Sequence, residues 1–247
     1  YNHNIGNEGD GDADALTCRI NNVSSTSAQV RLQEPGSSTL ATNETIHWIV
    51  VDEGAYDTPE IKFEAFKYLS TVTDGKTAGY TGETQSYTNS YTSPAVLGSI
   101  ESYNDTNFSY FYAKGSGANA TLPSSSSLIT GKHVAEDSNT SRNNETISVL
   151  VVESGHGTLN NGDIEYEANQ TTTAPVDRIE ENPPYTVSFS TPFSSTPTVA
   201  IVSQNGISGS DGPSVNMYGN SILSTTNIDL AVMEDEITDA EQTGNTE

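Results

Sequence analysis

Asp10, Asp12 and Asp14, preceded by Glu8, place carboxylates at alternate positions around Gly11 and Ala13. That spacing lets a loop wrap oxygen ligands around a hard cation, so the sequence predicts a Ca²⁺ site there, although the acidic residue that closes a full calcium loop is missing. A second chemistry is glycan attachment. Asn-x-Ser/Thr acceptor sequences stand at Asn22, Asn43, Asn104, Asn107, Asn119, Asn139, Asn144 and Asn169. Most flank strand-like runs at turns, where an acceptor amide is accessible, and they predict a heavily N-glycosylated exterior. For hydrolysis, Ser154 and His156 are neighbours, but the Gly before the serine and the strand-to-helix turn of a nucleophile elbow are lacking. No enzyme activity is expected, and no catalytic residue is assigned.

Nine Lys+Arg against 33 Asp+Glu give a formal charge of −24, the wrong sign for a nucleic acid or an anionic membrane surface. No run of apolar residues is long enough to span a bilayer as a helix. The single cysteine, Cys18, excludes an internal disulfide and reads as a small buried strand residue. His47 and Trp48 are adjacent and so point to opposite faces of a strand; Trp48 is expected in a core, with sugar stacking as the alternative. His133 and His156 are expected at the surface.

The elements that must carry these residues repeat. Asn43-Glu44-Thr45-Ile46 followed by Trp48-Ile49-Val50-Val51 matches Asn144-Glu145-Thr146-Ile147 followed by Val149-Leu150-Val151-Val152 at an offset of 101. Ile61-Lys62-Phe63-Glu64-Ala65 matches Ile164-Glu165-Tyr166-Glu167-Ala168, and Thr92-Ser93-Pro94-Ala95-Val96 matches Ser195-Thr196-Pro197-Thr198-Val199, both at 103. A period of about 101–103 residues is one domain per repeat, too long for a solenoid unit. Runs at 17–20, 28–32 and 186–189 alternate with period two, whereas 147–152 and 199–202 are near-continuous apolar runs; all five read as strands. Turn signals separate them, and no helical stripe exceeds two turns. Polar stretches 71–90 and 175–184 read as connections.

The expected fold is all-β: tandem antiparallel β-sandwiches at 1–70, 71–184 and 185–247, the terminal repeats incomplete. Tyr103-Asn104 maps onto Tyr1-Asn2 and Glu247 onto Glu145, which implies that the first unit lacks its first strand and the third its last strands.

The run Tyr185-Thr186-Val187-Ser188-Phe189, with Pro192-Phe193 and Pro197-Thr198-Val199, resembles the opening of an H-type lectin domain. Asn21-Asn22-Val23-Ser24-Ser25-Thr26 and Ile46-His47-Trp48-Ile49-Val50 are similar to its middle and end. The resemblance implies six-stranded antiparallel sandwiches that oligomerise and bind galactose-type sugars.

An incomplete sandwich leaves an unpaired edge that a neighbour must close. The expected function is therefore a structural subunit of an extracellular, glycosylated filament or adhesin stalk, joined head-to-tail by strand complementation or by covalent tandem repetition. A carbohydrate-binding lectin-type module is the alternative. Expected partners are neighbouring copies, N-linked glycans and extracellular sugars, with no nucleic acid and no membrane span; the expected place is the cell surface.

Overall fold

The computed structural model describes residues 2–3, 16–35, 45–171, 184–209, 212, 214–219, 221–233 and 235. Those residues form an all-β fold with no α-helix among them. The strands in chain order are β1 (Asn2–His3), β2 (Thr17–Asn21), β3 (Gln29–Gln33), β4 (Gly54–Asp57), β5 (Lys62–Ser70), β6 (Thr73–Asp74), β7 (Glu83–Ser86), β8 (Pro94–Ile100) and β9 (Tyr110–Lys114). They continue with β10 (Ser127–His133), β11 (Glu145–Glu153), β12 (Gly155–Leu159), β13 (Ile164–Ala168), β14 (Tyr185–Ser188), β15 (Ser214–Tyr218) and β16 (Asn227–Met233).

Two sheets face each other in the middle of the chain. One is antiparallel, ordered β4-β5-β11-β8. In the other, β10 pairs β9 and β7 antiparallel and the two-residue β6 in parallel. Their shared core joins Tyr91, Val96, Ile100, Phe111, Ala113, Leu128, Ile147, Val149 and Val151. The strand β11 explains itself: Ile147, Val149 and Val151 alternate with Ser148 and Leu150, so one face enters the core. Fully burying each such aliphatic side chain contributes about 1.5–3 kcal/mol. β5, which closes the first expected unit (1–70), runs along β11 from Phe63↔Val152 to Ser70↔Glu145.

The segment 71–90, expected to be a connection, instead supplies β6 and β7 to this fold. All four residues of β7 are polar and none is buried; along the strand they alternate between half-buried and exposed. Conversely, residues 199–202, expected as a strand, form none, and Val199 is 51% exposed. Its counterpart in the middle of the chain, Val96, is 1% exposed beside Val151.

A third sheet, β1-β15-β16-β14, surrounds Met217, Ile228 and Leu230. The order β15-β16-β14 repeats β9-β10-β7, and so does the register. Tyr185↔Leu230 and Ser188↔Asn227 stand where Glu83↔Thr130 and Ser86↔Ser127 stand. Ser214↔Met233 stands where Tyr110↔His133 stands, and Thr17↔Gln33 of the β2–β3 hairpin occupies the same place again. The turn entering β3, β10 and β16 is also the same: Ser24, Ser124 and Ser224 each turn a hydroxyl to the backbone N–H three residues on, at 3.0 Å in all three. The hairpins β4–β5 and β12–β13 share their pairing, Gly54↔Ala65 matching Gly155↔Ala168.

Gly98 of β8 shows how one copy is fitted. A Cβ there would lie 2.2 Å from the Phe111 ring. At the corresponding places in the last third of the chain the sizes are exchanged, Ile201 for Gly98 and Val215 for Phe111. Gly98→Ala is expected to lose about 1–3 kcal/mol by overpacking. Gly98→Ala with Phe111→Val should recover part of that loss; urea denaturation of both variants checks it, and equal losses would refute the pairing.

Candidate functional site

Seven of the eight acceptor asparagines lie among the described residues, and all seven are exposed: Asn22, Asn104, Asn107, Asn119, Asn139, Asn144 and Asn169. Asn22 holds a turn with a φ of 50°, a conformation asparagine tolerates better than most residues. Asn104 and Asn144 are brought together, the Asn104 side-chain amide donating to the Asn144 carbonyl at 2.8 Å. Asn43 and the carboxylates Asp10, Asp12 and Asp14 fall outside the described residues. Among the described residues no group of His, Cys, Asp and Glu is arranged to hold a metal ion. No helix among them is long and apolar enough to cross a membrane.

Beside Asn104 and Asn144 sits an ion pair that sequence reading missed. Arg19 of β2 and Glu145 of β11 meet at 2.6 Å, with 1% and 0% of their side chains exposed. Arg19 also donates to the carbonyls of Ser102, Asp105 and Asn107, and to Gln33 Oε1. Glu145 accepts from the Ser102 hydroxyl and from the N–H groups of Asn104 and Asp105. The pair fastens the β2–β3 hairpin to the middle of the chain. A signal existed: Glu44 and Glu145 occupy the same place in the matching segments. Nearby Asp105 is held below the usual carboxylate range: burial pushes it up, but hydrogen bonds from Asn107 and Asn143 outweigh that. A cleft of about 360 Å³ lined by Asn21, Gln29, Arg31 and Tyr103 opens here. The Tyr103 ring is already engaged by Arg19 at 4.6 Å and Arg31 at 4.3 Å, so this aromatic is not a free stacking platform for a sugar.

A buried polar knot lies under β10. Asp74 accepts from Thr81 N–H, Gly82 N–H and the Tyr112 hydroxyl. Tyr80 stacks on His133 at 4.3 Å, and His133 Nδ1 accepts from Ala135 N–H. His133 is 0% exposed, which corrects its expected surface place: it lies on the face of β10 opposite Leu128, and the rings of Tyr80, Tyr110 and Tyr112 cover it there. Lys132 is equally buried and donates to the carbonyls of Ser70 and Val72; burial lowers its pKa. The Asp74 carboxylate is thus held from three sides within the knot.

His156 pairs Glu165 Oε1 at 3.0 Å rather than Ser154, so no nucleophile–base pair forms. Glu165 lies below its ordinary pKa, chiefly because the Ser194 N–H and hydroxyl bond to it. Glu64 accepts from Thr88 and Asn89 N–H, and its counterpart Glu167 accepts from Ser190 N–H at the matching turn. Cys18 is half-buried, and burial raises its thiol pKa.

The remaining candidate is a strand edge. Residues 45–53 match β11 in sequence, yet none belongs to a strand, and Trp48, Ile49 and Val50 are 64%, 54% and 69% exposed. Trp48 is therefore not a core residue, contrary to expectation, because no described strand flanks it as β5 and β8 flank Val149. The ring of His47 lies against residue 200, and Ala200 N–H donates to its Nδ1 at 3.2 Å.

Set against protein-family models, curated proteins and solved structures, the chain matches none.

Proposed function

We propose that this chain is a structural segment of an extracellular filament or adhesin stalk, made of antiparallel β-sandwich units in series and carrying N-linked glycans. The observation that carries the reading is the recurrence, at intervals of about 100 residues, of one turn at Ser24, Ser124 and Ser224 leading into hairpins of one register. A chain that repeats one sheet module and offers no described catalytic pair or metal cluster is suited to span distance rather than to turn over a substrate. Two surface properties support the setting. Seven described acceptor asparagines are exposed, and the net charge of −24 keeps parallel fibres apart and hydrated. In this reading the units are linked directly, since β11 passes into β12 through Ser154 alone.

Negative-stain microscopy of the protein purified from its native source tests the proposal. Thin fibres with a regular axial repeat are expected, together with a mass loss on amidase treatment. Compact particles of unchanged mass would overturn both parts. A glycan array of galactose-type ligands tests the lectin alternative separately.

A further inference from the structure

We infer that residues 45–53 of one copy are a donor strand for a second copy, seated between β13 and residues 197–203. This rests on the filament reading and adds the strand, the slot and the register.

The middle of the chain shows what fills such a slot. There β11 lies between β5 and β8, with Leu150 opposite Ala65 on one side and Leu97 on the other. β13 corresponds to β5, and 197–203 to β8, both at an offset of 103. Among the described residues no strand lies between them: β13 pairs only β12, and 197–203 forms no ladder. The core behind the slot is open accordingly. Phe189, Val202, Val215 and Leu223 are only partly buried around Met217, Ile228 and Leu230. The segment that matches β11 is 45–53, and its Trp48, Ile49 and Val50 lie exposed.

Transposed, the register places Ile49 between Ala168 and Ala200. Ile46, Trp48 and Val50 then take the inward places of Ile147, Val149 and Val151, and Trp48 enters the core beside Met217 and Ile228. A strand edge there would gain backbone partners that Ala200 N–H now finds only in an imidazole.

A second copy, rather than the same chain, is the fitting donor. Within one chain His47, not Ile49, lies against Ala200, two places out of register, and Trp48, Ile49 and Val50 stay exposed. The segment cannot slide to correct this, because Gly54, which follows at once, is held by β4 pairing to Ala65.

Trp48 is the only tryptophan, so its fluorescence reports the seat directly. On raising the concentration of the whole chain, emission is expected to shift to the blue as fibres form. Trp48→Val, which copies Val149, should still assemble, and Trp48→Lys should not. In a Cys18→Ser background, Ile49→Cys and Ala168→Cys are placed in separate, differently tagged chains. Mixing them under oxidation should give a covalent dimer carrying both tags. A disulfide formed only when both cysteines are in one chain, as a cross-linked monomer, would overturn the second-copy donor. Fibres with no mixed cross-link and no blue shift would overturn the donor strand while leaving the filament reading standing. Monomers at every concentration would remove both.

Discussion

Glu145→Gln should lose about 3–5 kcal/mol of stability, the range for removing one partner of a buried ion pair. Arg19 is 1% exposed and has no water to turn to. The glutamine keeps the shape, but one of its two head atoms becomes a donor. Oε1 now receives Arg19 and Asp105 N–H, and Oε2 receives Ser102 and Asn104 N–H. Whichever oxygen is replaced, an amide N–H₂ then faces other donors, which adds the cost of unsatisfied buried groups. Arg19→Met should behave differently. Glu145 keeps the donors Ser102, Asn104 and Asp105, so the middle sheets survive. What is lost is the buried part of the β2–β3 fastening, the contacts at Ser102, Asp105 and Asn107 that run through this guanidinium, which leaves the more exposed Gln33 bond to the Thr106 carbonyl and the Arg31 stack on Tyr103. Limited proteolysis should cut Arg19→Met within the exposed turn 22–28 and leave the middle of the chain intact. Urea denaturation checks the first variant. A shift equivalent to less than about 1 kcal/mol would mean that the pair is solvated and the fastening lies elsewhere.

That contrast bears on what could be read in advance. The strands β2, β3, β11 and β14 are visible as alternation or as an apolar run, because period two is a local property. The recurrence of β4–β5 as β12–β13 is visible as matching residues. Pairing is not local. Nothing in Lys62–Ser70 alone says that its partner is Glu145–Glu153 across the chain rather than a strand of its own repeat. Nor is Arg19 marked as a partner of Glu145, 126 positions away. Edge strands mislead in the other direction: β7 is Glu83-Thr84-Gln85-Ser86, polar enough to pass for a loop, and it is a strand because β10 pairs it. The apolar run 199–202 misleads for the complementary reason: its counterpart β8 is a strand because β11 pairs it, and among the described residues no strand pairs 199–202. Trp48 and His133 follow the same rule. Each is exposed or buried by what lies beside it in space, which composition does not record.

Raising the pH above about 10 should unfold the protein steeply. Burial is the main cause holding Tyr68, Tyr87, Tyr91 and Tyr112 above their ordinary value, Tyr91 at about 12. Tyr112 is pushed furthest, since its hydroxyl also donates to the Asp74 carboxylate, and a phenolate there would face a second anion in a 0%-exposed site. A folded pKa above the unfolded one means that the native state binds the proton longer. The stability is therefore fully present below pH 10 and is lost as pH rises above it, by about 1.4 kcal/mol per unit for each tyrosine. Four such groups give a slope of about 5–6 kcal/mol per unit between pH 10 and 12, against a total stability on the order of 5–15 kcal/mol. Lys132 acts in the opposite sense. Its pKa is lowered by burial, so neutralising it relieves a cost, but that relief is complete once pH passes the ordinary lysine value of 10.5. The expected record is a tyrosinate absorbance titration that ends in a cooperative step above pH 10, coinciding with loss of the β circular-dichroism signal. Tyr112→Phe should make that step shallower by one proton. If all twelve tyrosines titrate together near pH 10 while the sheets persist, the hydroxyls are reached by water and the packing around Asp74 is looser than described.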